Sequence, residues 1–210
     1  MKTLTSLAGI LMAAISSAGT IAINTDFGAN GDYTVGTTSM HDWIGTLTIA
    51  FDETATVYTG YCTDPLTSYI GGSNQYSITT TNAGLPAYDR NLIAYIVNHH
   101  TFGADAITAP AAQLAVWDTI YDSQPGDVAS GVFSVQSLDG YSAIDYALVV
   151  NQANAYLAEA FANATPADNS LFFQPTSTFQ NQTFAAPVPE PATMAVVGLG
   201  LLALRRRKAK

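Results

Sequence analysis

The stretch Trp43-Ile44-Gly45-Thr46-Leu47-Thr48-Ile49-Ala50-Phe51 sets the fold class of this chain. It is rich in β-branched and aromatic residues, and its side chains alternate in character, as in a strand with one buried face. The stretch Thr54 to Tyr61 (TATVYTGY) repeats the pattern, and Asp52-Glu53 between them is typical of a turn. The region from Asn24 to Cys62 is therefore predicted to be β-rich.

Beyond this region the apolar residues recur at helical spacing. Three helices are predicted, over Tyr88–His100, Ala109–Tyr121 and Ala143–Ala162. Pro110 suits the first turn of the second helix, where a missing N–H costs nothing. The core residues expected on the third helix are Ile144, Leu148, Tyr156, Leu157 and Phe161.

Two short apolar stretches, Gly131–Val135 and Ser170–Pro175, are predicted to be further strands, and Gly71-Gly72-Ser73-Asn74 is predicted to be a loop. Strands and helices in this arrangement indicate the α+β class. We expect a β-rich sandwich or barrel part with a helical subdomain of about three helices.

The N-terminus has the pattern of a signal peptide. Lys2 supplies a positive charge, Leu7–Ile15 is an apolar run too short to span a bilayer, and Ser16-Ser17-Ala18 offers small residues for cleavage after Ala18. The predicted domains are a signal peptide over 1–18, an extracellular domain over 19–184 and a sorting tail over 185–210. Export through the general pathway follows from this prediction.

The domain between the two ends is acidic. The formal net charge of the chain is −9. Arg90 is the sole basic residue between Thr3 and Leu204, while every acid except Glu190 lies between Asp26 and Asp168. Such a surface repels nucleic acid and anionic lipid, so nucleic-acid binding is excluded.

The C-terminus combines a linker, an apolar run and a basic cluster. Ala185–Pro191 is rich in proline, which favours a stiff extended conformation. Ala192–Leu204 carries no charge, and Arg205-Arg206-Arg207-Lys208 follows directly. Basic clusters remain cytoplasmic, so a short transmembrane helix is predicted with its C-terminus inside and the domain outside.

This tail resembles the PEP-CTERM sorting signal of Gram-negative bacteria that make exopolysaccharide. The matching residues are Pro189-Glu190-Pro191, the apolar run with Gly198-Leu199-Gly200, and Arg205-Arg206-Arg207. The resemblance implies recognition by an exosortase, a transient anchor in the inner membrane, cleavage near the Pro-Glu-Pro motif, and delivery to the cell surface or biofilm matrix.

Cys62 is the single cysteine of the chain, so no intramolecular disulfide stabilises the domain. In an exported protein such a residue is a buried inert thiol, an intermolecular bridge or a reactive group. Two motifs bear on this choice: Tyr61-Cys62-Thr63-Asp64 at the end of a predicted strand, and Ala112-Gln113-Leu114-Ala115-Val116-Trp117 in the second predicted helix.

Together these motifs resemble the thioester domains of bacterial surface adhesins, although Thr63 stands where that family more often has an aliphatic residue. The resemblance implies an internal thioester between Cys62 and Gln113 that attaches the protein to an extracellular amine or hydroxyl, on a protein or a polysaccharide. It implies single-turnover covalent binding rather than enzymatic catalysis, and neither cofactor nor metal. The expected shielding or supporting residues are Tyr61, Asp64, Trp117 and Tyr121.

Two alternatives remain open. A secreted cysteine hydrolase would pair Cys62 with His99 or His100 and an acid such as Asp64. A non-reactive matrix or carbohydrate-binding protein would keep Cys62 as a buried free thiol and bind sugars through exposed aromatic residues. A metal site formed by His41, His99 and His100 is disfavoured, because their spacing matches no ligand pattern.

The absence of lysine from the domain fits the thioester hypothesis, since a thioester reacts with amines.

Overall fold

The computed structural model describes residues 18–51, 56–67, 75–80, 84–101, 103–122, 126–175 and 183–187. The strands in these residues pair antiparallel in the order β2-β3-β7-β6-β4-β1-β5, with an additional pairing of β1 with β2. Three helices accompany the sheet, which confirms the predicted α+β class. The strands are β1 (Ala18–Val35), β2 (Thr38–Phe51), β3 (Thr56–Cys62), β4 (Gln75–Thr79), β5 (Phe133–Val135), β6 (Ser170–Pro175) and β7 (Phe184–Pro187).

Strands β1 and β2 form a long hairpin, joined by a tight turn in which Gly36 has a φ of +59°. Such left-handed backbone suits glycine, because a side chain there meets its own carbonyl group. The register shifts between Thr25 and Gly28. There Gly28 lies opposite Gly45, and a Cβ on Gly28 would come within 2.2 Å of the Ile44 carbonyl oxygen. The missing side chains let the two strands approach closely.

Strand β3 changes partner near its end. Its residues from Thr56 to Gly60 pair with β2, and then Tyr61 and Cys62 pair with β7. Gly60 allows this exchange, since a Cβ there would lie 2.2 Å from the carbonyl oxygen of Ala185 in β7. The exchange places Cys62 at the last position of β3, at the buried end of the strand.

The smaller strands agree only in part with the sequence patterns. The prediction over Ser170–Pro175 is confirmed as β6, and the one over Gly131–Val135 is confirmed in its shorter form as β5. Strand β4 carries no strong apolar pattern and was not predicted. Strand β7 reaches Pro187 and pairs with β6, so the sheet includes three residues that were predicted for the linker.

The helices lie close to their predicted bounds, as α1 (Ala87–His100), α2 (Thr108–Tyr121) and α3 (Ala143–Asn163). Helix α2 is the centre of the fold, because every residue from Ala109 to Thr119 is buried. It contacts α1, α3 and strands β1, β2, β3 and β5. The Asp105 carboxylate accepts the backbone N–H groups of Ile107 and Thr108 and so caps its start.

The core face predicted for α3 is partly wrong. Tyr156 and Leu157 are buried, but Ile144 is 75% exposed and Leu148 is 49% exposed. Phe161 is half-buried and packs against Tyr88. The remaining buried residues of α3 are Val149, Ala153 and Ala160. Small side chains allow α3 to approach α2 closely, so residue size does not mark the buried face.

Residues 1–17 of the predicted signal peptide and most of the sorting tail lie outside the described residues, while Ala18 begins β1. The part of the tail that lies outside includes the predicted transmembrane helix, the Pro189-Glu190-Pro191 motif and Arg205-Arg206-Arg207. So do the loop predicted at Gly71–Asn74 and the turn at Asp52-Glu53. Among the helices that are described, none is both long and apolar enough to cross a membrane.

Candidate functional site

The fold brings Cys62 of β3 and Gln113 of α2 into direct contact. The Cys62 backbone N–H donates to Oε1 of Gln113 at 2.9 Å, and Nε2 of Gln113 donates to the Cys62 carbonyl oxygen at 2.8 Å. Both side chains are buried, Gln113 completely. The amide of Gln113 is thus held, through both of its polar atoms, by the residue that carries the only thiol.

The sulfur of Cys62 accepts a hydrogen bond from the turn that follows β3. The backbone N–H of Asp64 donates to Sγ at 3.3 Å. Burial raises the pKa of the Cys62 thiol well above its ordinary range; the Asp64 N–H opposes this, while the Asp64 and Asp42 carboxylates add to it. Burial therefore disfavours the thiolate form of an unreacted Cys62 and shields its sulfur from solvent.

Trp117 lies one helical turn beyond Gln113 and is buried. Its indole N–H opposes the rise in the pKa of the Cys62 thiol. The same N–H has no partner at hydrogen-bonding geometry among the described residues. A buried donor without a partner costs free energy, so this N–H is available to an acceptor that forms near Cys62.

A cleft of about 250 Å³ opens beside the residues that follow Cys62. Tyr121 lines it, and burial raises the pKa of the Tyr121 hydroxyl to about 12, with smaller contributions from Asp64 and Cys62. Thr63 and Asp64, the two residues that follow Cys62, line this cleft, whereas Cys62 itself does not. The lining residues are Thr63, Asp64, Gly84, Leu85, Ile120, Tyr121 and Thr183.

Two of these lining residues join separate parts of the chain. The Thr63 N–H donates to the Thr183 carbonyl oxygen at 2.8 Å, and the two threonine hydroxyl groups are 2.7 Å apart. The sequence patterns did not predict a role at the site for Thr183, Leu85 or Ile120. They carry no motif: the β3–β7 pairing brings Thr183 to the cleft, Leu85 lies just before α1, and Ile120 lies near the end of α2.

Tyr61 occupies a different position from the other predicted shielding residues. It precedes Cys62 in the same strand, so the two side chains point to opposite faces. Tyr61 is fully buried, and its hydroxyl donates to the His100 carbonyl oxygen at 3.0 Å. Its observed contact is therefore with the end of α1, whereas Asp64, Trp117 and Tyr121 surround the thiol region.

The three histidines have partners other than Cys62. His41 contacts Asp32 at 2.8 Å at the exposed end of the β1–β2 hairpin. His99 stacks on Tyr95, and His100 stacks on Tyr156 with 3.7 Å between ring centroids. The hydrolase alternative requires an imidazole beside the thiol, and none of these contacts supplies one.

The arrangement of possible metal ligands and of exposed aromatic residues bears on the other readings of the sequence. Within the described part of the chain, no group of three or more His, Cys, Asp or Glu side chains is arranged to hold a metal ion. Aromatic residues that bind one sugar together must lie on one surface. The exposed aromatic residues Phe27 and Tyr88 belong to different elements, β1 and α1.

Residues 187–208 match the PEP-CTERM protein-sorting motif. This match confirms the motif read from Pro189-Glu190-Pro191 and Arg205-Arg206-Arg207, and it supports an extracellular or cell-surface location. No curated protein matches the chain as a relative.

Three solved structures are similar in fold. The N-terminal thioester domain of a surface protein from Clostridium perfringens is 14% identical, with a TM-score of 0.45, over 76% of this chain and 98% of that one. The N-terminal thioester domain of fibronectin-binding protein SfbI from Streptococcus pyogenes is 16% identical, with a TM-score of 0.43, over 77% and 95%. The N-terminal domain of the S. pyogenes pilus tip adhesin Cpa is 18% identical, with a TM-score of 0.47, over 84% and 100%.

Proposed function

We propose that this protein is an exported, adhesin-like surface protein that attaches itself covalently to an extracellular target through an internal thioester between Cys62 and Gln113. The observation that carries the proposal is the double hydrogen bond between the Gln113 carboxamide and the Cys62 backbone. A glutamine that served only for packing would not need to be completely buried against the single thiol of the chain.

The proposed bond forms by addition of Cys62 Sγ to Cδ of Gln113. The Cδ–Nε2 bond then breaks, the thiol proton passes to the leaving nitrogen, and ammonia is released. The Cys62 N–H already donates to Oε1 of Gln113, so it stabilises the negative charge that develops on this oxygen. Because the fold holds both groups in place, the reaction becomes intramolecular, which compensates for the low reactivity of an amide.

The surroundings of the pair suit a bond that must survive until it meets its target. Burial excludes water from the thioester, and the donors near sulfur, Asp64 N–H and the Trp117 indole, remain available when the bond opens. A target nucleophile enters through the cleft at Tyr121 and attacks the acyl carbon. An amine yields an amide, a hydroxyl yields an ester, and Cys62 recovers its proton as a free thiol.

The protein acts once per molecule and is not an enzyme in this proposal, because the acyl group is transferred to the target and no step regenerates Gln113. The sorting motif at 187–208 supports processing by an exosortase after a transient inner-membrane stage. Release outside the cell, in the biofilm or exopolysaccharide matrix, would bring the thioester to proteins and polysaccharides that carry suitable nucleophiles.

Thiol titration and methylamine treatment of the purified protein test the proposal. We expect no free thiol before treatment, and one thiol with one incorporated methylamine afterwards. Cys62→Ala and Gln113→Ala serve as controls, and neither variant should incorporate methylamine. A wild-type protein with a titratable Cys62 in the denatured state and no incorporation would instead fit the non-reactive matrix protein.

A further inference from the structure

Tyr33 of β1 contacts the turn that follows Cys62 and the helix that carries Gln113. The side chain is completely buried. Its hydroxyl donates to the carbonyl oxygen of Pro65 at 3.0 Å, and its ring packs against Trp117 with 4.8 Å between centroids. The ring of Phe133 of β5 also packs against Tyr33, with 5.8 Å between centroids. Tyr33 lies in a strand region without a recognisable motif, so the sequence alone does not mark it as a site residue.

The contact with Pro65 bears on the thiol. Pro65 belongs to the turn that follows β3, and this turn also contains Asp64, whose N–H donates to Cys62 Sγ. Pro65 has no N–H with which to fix itself. The hydrogen bond from Tyr33 holds the turn at the Pro65 carbonyl group, one residue after the Asp64 N–H that donates to the sulfur.

The contact with Trp117 bears on the amide. Trp117 lies one turn after Gln113 on α2, so the two side chains share a helix face. Trp117 also packs edge-on against Phe133 at 5.9 Å. A change in the packing of Tyr33 thus alters the position of α2 near the turn of the helix that carries Gln113.

We propose that Tyr33 is the positioning residue of this site, which holds the turn after Cys62 and the helix of Gln113 at reacting distance. Burial raises the pKa of the Tyr33 hydroxyl above its usual range, so the hydroxyl remains a donor at all pH values relevant to a folded surface protein. The inference rests on the proposed function for its link to thioester formation, but the holding of the turn is testable separately.

Tyr33→Phe removes the hydroxyl and retains the ring. The matched control is Tyr146→Phe: the Tyr146 hydroxyl also donates to a backbone carbonyl oxygen at 3.0 Å, that of Val135, which pairs with Tyr33 between β5 and β1, so this variant removes a hydroxyl from the same region while the bond to Pro65 is kept. Two quantities are measured: hydrogen exchange of the peptide over residues 62–67, and the fraction of chains that have lost ammonia at successive times after cell-free synthesis.

We expect Tyr33→Phe to speed exchange in this peptide roughly tenfold, as local opening becomes easier, and to slow ammonia loss by on the order of tenfold or more, since small misplacements of reacting groups are costly. Tyr146→Phe should change neither quantity, although both variants lower the melting temperature. Phe133→Leu, which loosens the ring but keeps the hydroxyl, should give a smaller change in the same direction.

Equal hydrogen exchange in Tyr33→Phe and Tyr146→Phe would overturn the inference, and so would normal ammonia loss in Tyr33→Phe. A wild-type chain that never loses ammonia would refute the proposed function instead. The exchange comparison would then still decide whether Tyr33 holds the turn. Should Tyr33→Phe fail to fold, the exchange measurement on Phe133→Leu makes the same decision.

Discussion

Asp118, the residue after Trp117, is a carboxylic acid inside the central helix. It is completely buried, and neither carboxylate oxygen has a hydrogen-bond partner in the described part of the structure. Burial raises the pKa of Asp118 to about 7, and the carboxylates of Asp122 and Asp127 contribute further. A charged form at this position would lack compensation, so the folded protein favours the proton.

The raised pKa of Asp118 makes the free energy of unfolding depend on pH. Below about pH 4, folded and unfolded chains both bind this proton. Between about pH 4 and pH 7 the unfolded chain releases it while the folded chain retains it, so Asp118 lowers the free energy of unfolding as the pH rises. Above pH 7 the loss is complete and constant.

Asp118→Asn should therefore remove this part of the pH dependence. We expect the variant to gain stability relative to wild type as the pH rises from 5 to 8, because asparagine has no charge to bury. Urea unfolding at several pH values measures the difference. Asp105→Asn is the control: the pKa of Asp105 is lowered, chiefly by the backbone N–H groups of Thr108 and Ile107, so this carboxyl is ionised in both the folded and the unfolded chain above about pH 5, and the variant should differ from wild type by a constant amount between about pH 5 and pH 8. A wild-type to Asp118→Asn difference that does not vary with pH contradicts the account.

At the scale of elements, the exchange of β3 from β2 to β7 decides where Cys62 lies. Gly60 is the residue at which the exchange happens, and the Ala185 carbonyl oxygen occupies the place of its missing Cβ. The contact involves backbone atoms of β7, which cannot rotate away as a side chain can. The position of the thiol thus depends on a residue without a side chain.

Gly60→Ala should separate β3 from β7 at this point. Forced overpacking of this kind costs about 1–3 kcal/mol of unfolding free energy, and thioester formation should fall because Cys62 moves relative to Gln113. The control is Val57→Ala on the same strand, where the side chain is 63% exposed and the expected change is within about 0.5 kcal/mol. Chemical denaturation and intact mass measure the two effects. Equal stability of the two variants would show that the close approach at Gly60 does not matter.

The elements with strong periodicity were predictable from sequence. Helices α1 and α2 and strands β2 and β6 follow local patterns, and these patterns are the same in any context. The Cys62–Gln113 pair was predictable because two motifs carried it. The buried face of α3 was not, since alanines at 153 and 160 pack against α2 while Ile144 lies in solvent.

The cleft and Tyr33 show the limit of local patterns more clearly. Thr183 reaches Thr63 only because β7 pairs with the end of β3, and Tyr33 reaches Pro65 across 32 positions of sequence. Both contacts depend on long-range strand pairing. No window of neighbouring residues contains that information, so the supporting residues of the site emerge only from the fold.

At the scale of the whole molecule, the acidic domain has no lysine, and its sole base is Arg90. A protein that carries an electrophile gains from this composition, because a nearby amine in the same chain or a neighbouring copy would consume the thioester. Our hypothesis is that the domain lacks lysine for this reason. It is motivated by the open cleft that the residues next to Cys62 line.

Leu66→Lys tests the hypothesis, since Leu66 is 45% exposed and lies four positions after Cys62. We expect covalently crosslinked dimers in denaturing gels, or a loss of methylamine incorporation where the new amine reacts within its own chain. Ile144→Lys on the outer face of α3, where Ile144 is 75% exposed, is the control and should do neither. If the Leu66 variant keeps a full complement of reactive thioester without crosslinks, the absence of lysine needs no functional explanation.

The central claim is that Cys62 and Gln113 form a covalent bond, and the intact mass of the purified wild-type domain tests it most directly. The account predicts a mass lower than that of the sequence by one ammonia, and the full sequence mass for Cys62→Ala and Gln113→Ala. A wild-type mass equal to that of the sequence, with Cys62 free to react with a thiol reagent after denaturation, would contradict it.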